Sequence, residues 1–244
     1  MLQLCSLFQA GEESVTLDLL PLIMVVADER RLEEELFLTT FLWEEGKHVE
    51  FFRRVLDEVA GAAGDDLHRY HTPSYKTIFY EELPAAMNAL RDDTSPAAQI
   101  RAAVTYNMIV EGVLAETGYH AFYEALERND LLPGLREGIG NLKRDESRHI
   151  AYGVFLLSRL IGASPELWEE AQRRMEELLV PAIGVIDETF QLYDPFPFGL
   201  RVEDFIEYAM SQFAKRMDRV ERGARALTAA DAATMADELV EGVT

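Results

Sequence analysis

Six side chains pose the chemical question. Glu12, Glu45 and His48 form one set and Glu111, Glu146 and His149 a second, each reading as a glutamate followed by Glu-x-x-His. The spacing repeats as well, with 33 residues from Glu12 to Glu45 and 35 from Glu111 to Glu146. An acid and an imidazole three positions apart leave the same face of a helix and can reach a common ion. That spacing alone is a weak signal, because most such pairs are surface ion pairs. The repetition is what carries weight. Glu111 strengthens it, since it sits in the apolar run Met108-Ile109-Val110-Glu111-Gly112-Val113-Leu114, where an unpaired charge costs several kcal/mol. Four carboxylates and two imidazoles offered from four helices match the needs of two first-row transition metals in the core of a bundle. Mixed oxygen and nitrogen ligation suits iron and manganese, and the absence of thiolates disfavours an iron–sulfur or structural zinc site. Nothing in these residues distinguishes one ion from the other. Buried ion pairs are the bland alternative.

Neighbouring polar residues are read more plainly. Glu44 is expected to be solvated or to lie behind a ligand, and Asp145 either holds His149 from behind or faces water. His68, His71 and His120 lack an acid at ligand spacing and read as structural or surface residues. Tyr119, two turns beyond Glu111, is either close to the ligands or a packed aromatic. Met108 and Val113 are candidates to line a pocket, or ordinary core.

The elements that must position these groups are helical throughout. The pattern predicts a helix from Leu4 to about Ala27 with a kink at Pro21. Asp28 is expected to cap a second helix running to about Ala60, with Leu32, Leu36, Thr39, Trp43, His48 and Phe52 near helical spacing. Gly61 and Gly64 break it, and a looser stretch from Asp65 leads to a helix over about Ser74 to Arg91 that contains Pro84. Thr94-Ser95-Pro96 reads as a cap and opening turn for a long helix to about Arg128. After a turn at Asn129, Asp130, Pro133 and Gly134 comes a helix to about Ile161. Ser164-Pro165 opens another to about Tyr193 with Pro181 inside it, and the last runs from about Val202 to Ala226. No stretch alternates as an exposed strand does, and no Gly-rich phosphate loop divides the chain. The expectation is one all-α domain over residues 1–244, with a tail from about 227.

Composition narrows the partners. The 244 residues include 23 basic and 44 acidic side chains, a formal charge of −21 that repels nucleic acid and anionic membranes. One cysteine, Cys5, rules out an internal disulfide and fits a reducing compartment. The first residues lack the basic segment of a signal peptide, and the apolar run from Leu19 to Ala27 is too short to span a bilayer. A soluble cytoplasmic protein is the expectation.

The chain resembles the ligand-binding oxidases related to the ribonucleotide reductase small subunit, within the ferritin-like superfamily. Beyond the metal pattern, the likeness rests on Gly11-Glu12-Glu13-Ser14-Val15-Thr16, on Tyr106-Asn107 with Val110-Glu111-Gly112, and on Asp145-Glu146 through His149. It extends from about Phe8 to Ala226. The resemblance implies a Mn/Fe cofactor, with manganese at Glu12/Glu45/His48 and iron at Glu111/Glu146/His149, or an Fe/Fe pair. It also implies O2 activation, a long-chain fatty acid whose carboxylate bridges the metals, a homodimer, and an ether cross-link between Val15 and Tyr106. Val15 shares a helix face with Glu12, and Tyr106 lies about one and a half turns before Glu111, so both can approach the metals.

Other readings stay in view. The small subunit that holds a tyrosyl radical places its tyrosine seven residues after the first Glu-x-x-His glutamate. Phe52 stands there, although some Mn/Fe small subunits also carry phenylalanine. No Tyr or Trp follows Tyr208 to relay an electron to a partner subunit. A metal- and lipid-binding bundle without catalysis, or an iron store, are the alternatives from other classes. Family members carry a substantial segment before the first ligand, whereas 11 residues precede Glu12; either that segment is missing or the protein is shorter.

Overall fold

The helical periodicity resolves, in a computed structural model, into ten α-helices with three π-helical stretches among the described residues, which are 1–63 and 66–226. Gly64, Asp65 and the tail from 227 lie outside them. No strand occurs among the described residues, and none of their helices is long and apolar enough to cross a membrane. The fold is a ferritin-like bundle.

The helices begin and end where local chemistry dictates, with instructive departures. The expected first helix is two: α1 spans Leu2–Asp18 and α2 spans Leu20–Asp28. Pro21 does not kink a helix interior. It occupies the opening turn of α2, where its missing N–H has no intrahelical partner to lose. Asp28 is not a cap either; it closes α2, and the chain reverses through Arg30 at φ 60° before α3, Leu32–Arg54. The acidic first turn of α3 (Glu33, Glu34, Glu35) and its basic last turn (Arg53, Arg54) complement the helix dipole. Its buried face is Glu34, Leu38, Phe41, Glu45, His48 and Phe52, while Leu32, Leu36 and Trp43 point outward.

A π-helical turn, Val55–Val59, extends α3. The next helical run joins α4 (Pro73–Lys76), a π stretch (Thr77–Glu82) and α5 (Leu83–Ala89), with Pro84 in the opening turn of α5. Ser95 caps α6 (Pro96–Ala103) as expected, its hydroxyl accepting from the Ala98 amide at 3.3 Å. The helix then continues into a twelve-residue π stretch, Val104–Ala115, and α7, Glu116–Glu127. α8 (Pro133–Ala163) and α9 (Leu167–Gln191) follow, the latter opening two residues beyond Pro165 and carrying Pro181 inside it. α10 spans Val202–Ala226.

The core lies where α1, α3, the long π stretch and α8 face one another. Every residue from Val104 to Val113 is buried, which explains the mainly apolar sequence there and leaves Thr105, Asn107 and Glu111 in need of partners. A π-helix bonds i to i−5 and shifts the side chains away from ordinary register. Two buried arginines brace this stretch: Arg174 from α9 donates to the Thr105 hydroxyl at 3.1 Å, and Arg216 from α10 donates to the Gly112 carbonyl at 3.3 Å.

Candidate metal centre

All six predicted side chains converge in that core. α1 supplies Glu12, α3 supplies Glu45 and His48, the π stretch supplies Glu111, and α8 supplies Glu146 and His149. None is more than 5% exposed. Their ligand atoms fall into two groups, Glu12/Glu45/His48/Glu146 and Glu45/Glu111/Glu146/His149, each with all atoms within 4.8 Å of one another. Glu45 and Glu146 belong to both groups, so these two carboxylates stand between the halves. His48 Nδ1 lies 3.5 Å from Glu12, 3.5 Å from Glu45 and 3.3 Å from Glu146. His149 Nδ1 lies 3.1 Å from Glu45, 3.5 Å from Glu146 and 3.7 Å from Glu111.

Electrostatics and hydrogen bonding test whether metal ions fit. Burial pushes the Glu12 and Glu111 carboxyls well above the usual range, and the Glu146 charge adds to the effect at Glu111. Burial pushes Glu45 up as well, but the two imidazoles outweigh it and hold that carboxyl low. Both histidines show the converse: burial disfavours their charged form, and the surrounding carboxylates overcome it and raise them. Four buried acids therefore compete for too little positive charge. Both Glu45 oxygens, His48 Nδ1, Glu111 Oε1, Glu146 Oε2 and His149 Nδ1 are buried without a hydrogen-bond partner. Orphan polar atoms are rare in folded proteins and call for an explanation. Here they all turn inward on one point, and cations between them would satisfy every one. About four units of metal charge would balance the four carboxylates and leave the imidazoles neutral. The donor set fits a pair of divalent ions.

Sequence reading placed Glu44 behind a ligand correctly but misplaced Asp145. Asp145 does not hold His149, nor does it simply face water; its Oδ2 lies 3.4 Å from His48 Nε2. Glu44 is the acid behind His149, with its Oε2 3.0 Å from Nε2. With each Nδ1 turned to the centre, Nε2–H is left to donate to these carboxylates, which settles tautomer and ring angle. Phe41 stacks on the His149 ring at 3.5 Å, and Tyr119 donates to Glu146 Oε1 at 3.2 Å.

Asn107 carries a role that the sequence did not disclose. Its amide donates to Glu111 Oε2 at 2.9 Å, one helical turn away, and reaches the His149 carbonyl at 3.5 Å. Gly153 on α8 makes room for it: a Cβ there would lie 2.2 Å from Asn107 Cβ. An asparagine four positions before a buried acid was the available signal. The remaining histidines stay outside the centre. His68 is exposed beside Asp66, His71 bridges Ser6 and Tyr80, and His120 stacks on Tyr208 at 4.3 Å.

The centre forms the floor of an apolar cleft of about 820 Å³, counted to its open mouth, whose walls include Leu7, Phe8, Val110, Leu114, Val185 and Phe205. Met108 and Val113 take the second of their two expected roles, as ordinary core, while Val110 and Leu114 on the same run line the cleft. Val15 also lines the cleft, and the buried Tyr106 hydroxyl donates to the Val15 carbonyl at 3.2 Å. Phe52 is fully buried, stacked 5.0 Å from Phe8, and offers no hydroxyl.

Fold and site together define a class, ferritin-like bundles whose core carboxylates and imidazoles suit a dinuclear metal centre. Residues 1–219 match the family described as ribonucleotide reductase, small chain. Among solved structures, an R2-like ligand-binding oxidase with a valine-to-leucine substitution and an anaerobically reconstituted Mn/Fe cofactor is 43% identical. It superposes with a TM-score of 0.85, covering 90% of this chain and 78% of that one. A glycine-to-leucine variant of an R2-like ligand-binding oxidase, likewise with an anaerobically reconstituted Mn/Fe cofactor, gives 42% identity and a TM-score of 0.86 over the same shares. A tyrosine-to-phenylalanine variant with an aerobically reconstituted Mn/Fe cofactor gives 42% and 0.85, again over the same shares. The chain belongs to the ribonucleotide reductase small-chain family and, within it, to the R2-like ligand-binding oxidases, and it is an oxidoreductase.

Proposed function

We propose that the protein is an O2-activating oxidase with one manganese held by Glu12, Glu45 and His48 and one iron held by Glu111, Glu146 and His149. The observation that carries this reading is the set of inward-turned, unpartnered oxygens and nitrogens at the floor of an apolar cleft. When bound, such a metal pair supplies the electrons that activate dioxygen. Glu45 and Glu146 belong to both ligand groups and would be shared between the two ions, and Asp145 and Glu44 hold the histidine rings from behind.

The cleft fits a long-chain fatty acid. Its apolar walls gain about 0.8 kcal/mol for each methylene removed from water. Its carboxylate belongs at the floor only when cations are there, since four glutamates would otherwise repel it. The same chemistry can act on the protein. Joining the Tyr106 hydroxyl oxygen to a side-chain carbon of Val15 removes one O–H and one C–H hydrogen, a two-electron oxidation with dioxygen as the acceptor. Burial holds the Tyr106 phenol far above its ordinary pKa, so it remains protonated and hydrogen-bonded beside Val15 until oxidised.

A homodimer is supported by Leu17, Leu20 and Met24 on α1 and α2 and Leu32, Leu36 and Trp43 on α3. All six are exposed on neighbouring helices, and surfaces of this kind mark protein contacts. The acidic charge and the single buried thiol fit a cytoplasmic setting.

Peptide mass spectrometry on protein loaded aerobically with manganese and iron tests the reading. The expected product is a joined Val15 and Tyr106 peptide pair, lighter by two hydrogens than its parts. Tyr106→Phe should abolish it while both metals stay bound. Separate peptides from fully loaded wild-type protein would remove the cross-link from the proposal. Retention of fatty acid after metal is stripped would favour a lipid-binding bundle without catalysis.

A further inference from the structure

The outer edges of the two imidazoles meet in a single side chain. Asp145, next to Glu146 on α8, takes His48 Nε2, and Glu44, next to Glu45 on α3, takes His149 Nε2. Each ligand helix thus steadies the histidine of the other. The second oxygens of these two carboxylates, Asp145 Oδ1 and Glu44 Oε1, both accept from one nitrogen, Arg148 Nη2, at 2.7 Å in the case of Asp145. Lys47 also reaches Asp145, at 3.4 Å, but only Arg148 touches both acids among the contacts of this cluster. The Arg148 side chain is 36% exposed, on the shoulder of the site and not in the core.

We propose that Arg148 is a positioning residue that couples the two halves of the metal centre. This rests on the two-metal reading above. A carboxylate behind a metal-bound histidine sets the ring's tautomer and angle, and the bond that holds that carboxylate is directional and charge-assisted. Because one nitrogen holds both carboxylates, a shift of either is transmitted to the other. Loss of Arg148 frees both acids at once, so both histidines lose their support together, whereas loss of one acid releases one histidine.

Anaerobic titration of the metal-free protein with Mn(II) alone, following the free-ion EPR signal, resolves the two uptake steps. Arg148→Gln should weaken both steps by about tenfold, the lower end of what removing a group behind a metal ligand costs. Glu44→Gln and Asp145→Asn should each weaken mainly one step, and not the same one. Adding Arg148→Gln to the Glu44→Gln/Asp145→Asn double variant should change neither step further. Unchanged steps in Arg148→Gln, an effect on only one step, or the same tenfold loss when both carboxylates are already gone would each overturn the coupling. Wild-type protein that takes up fewer than two ions would instead sink the two-metal reading and this inference with it. Arg148 lies at the surface, so circular dichroism should show the variant fully helical.

Discussion

Glu12 and Glu111 hold matching places in the two halves of the centre, yet the protein secures them differently. Glu12 stands on an ordinary stretch of α1, and among the described residues no side chain outside the cluster donates to its carboxylate. Glu111 stands on a π-helical stretch, fixed by the Asn107 amide at 2.9 Å, with Gly153 keeping α8 close enough to trap that amide. A carboxylate held by a buried donor has one orientation, while one that meets only the site itself can turn to suit what binds there. The Glu111 half is preorganised and the Glu12 half is adjustable. Between them, Glu45 and Glu146 are common to both.

Substitutions that remove a shared or a private group should separate these halves. The largest effect is expected for Glu146→Ala, which takes a carboxylate from both groups; uptake of both ions, measured by metal analysis after desalting, should weaken by more than about 100-fold. A full equivalent of one ion retained at wild-type affinity would show the halves to be independent. Gly153→Ala comes next. Its methyl would have to displace Asn107, which costs about 1–3 kcal/mol as overpacking, so thermal unfolding should shift down by several degrees, with weakening at the Glu111 half alone. Asn107→Ala leaves the backbone alone and should weaken that same ion by about tenfold while the Glu12 ion keeps its affinity. Equal loss at both ions would contradict a clamp private to Glu111. The smallest effect belongs to Gly11→Ala, beside Glu12, whose methyl meets the Phe79 ring at 3.3 Å and not a backbone or a buried amide. A melting shift under about 2 °C is expected, because a ring edge can yield by a few tenths of an ångström.

Much of the helical layout was legible before any coordinates. Ser95 caps α6 as its Ser-Pro signal predicted, and the long helix after Pro133 runs close to its expected end. The departures share one cause. Pro21 and Asp28 are each compatible with two local roles, an interior kink or an opening turn for the proline, and a cap or a last residue for the aspartate. Only packing selects between them, because the position of Leu19 and the reversal at Arg30 are set by what α1, α2 and α3 must bury against one another. The outward Leu32, Leu36 and Trp43 tell the same story, since a periodic pattern shows that residues share a face but not whether that face is turned to the core.

That these six side chains could serve one metal centre was determined by the sequence itself. Residue type fixes what each can coordinate, and i, i+3 spacing on a helix fixes which pairs share a face. The reach of Glu45 and Glu146 into both halves, the crossing of Asp145 to His48 and Glu44 to His149, and the closing of both through Arg148 were decided only by the tertiary structure. Apart from the Asp145–Arg148 pair, three positions apart on α8, the contacts behind the histidines join residues about 100 positions apart, where the height and rotation of α3 against α8 decide which acid stands behind which ring. Packing likewise settled the cleft, leaving Met108 and Val113 in the core and bringing Val110 and Leu114 to its wall. No local spacing rule carries that rotation, because it is set by the packing of the whole bundle around the centre.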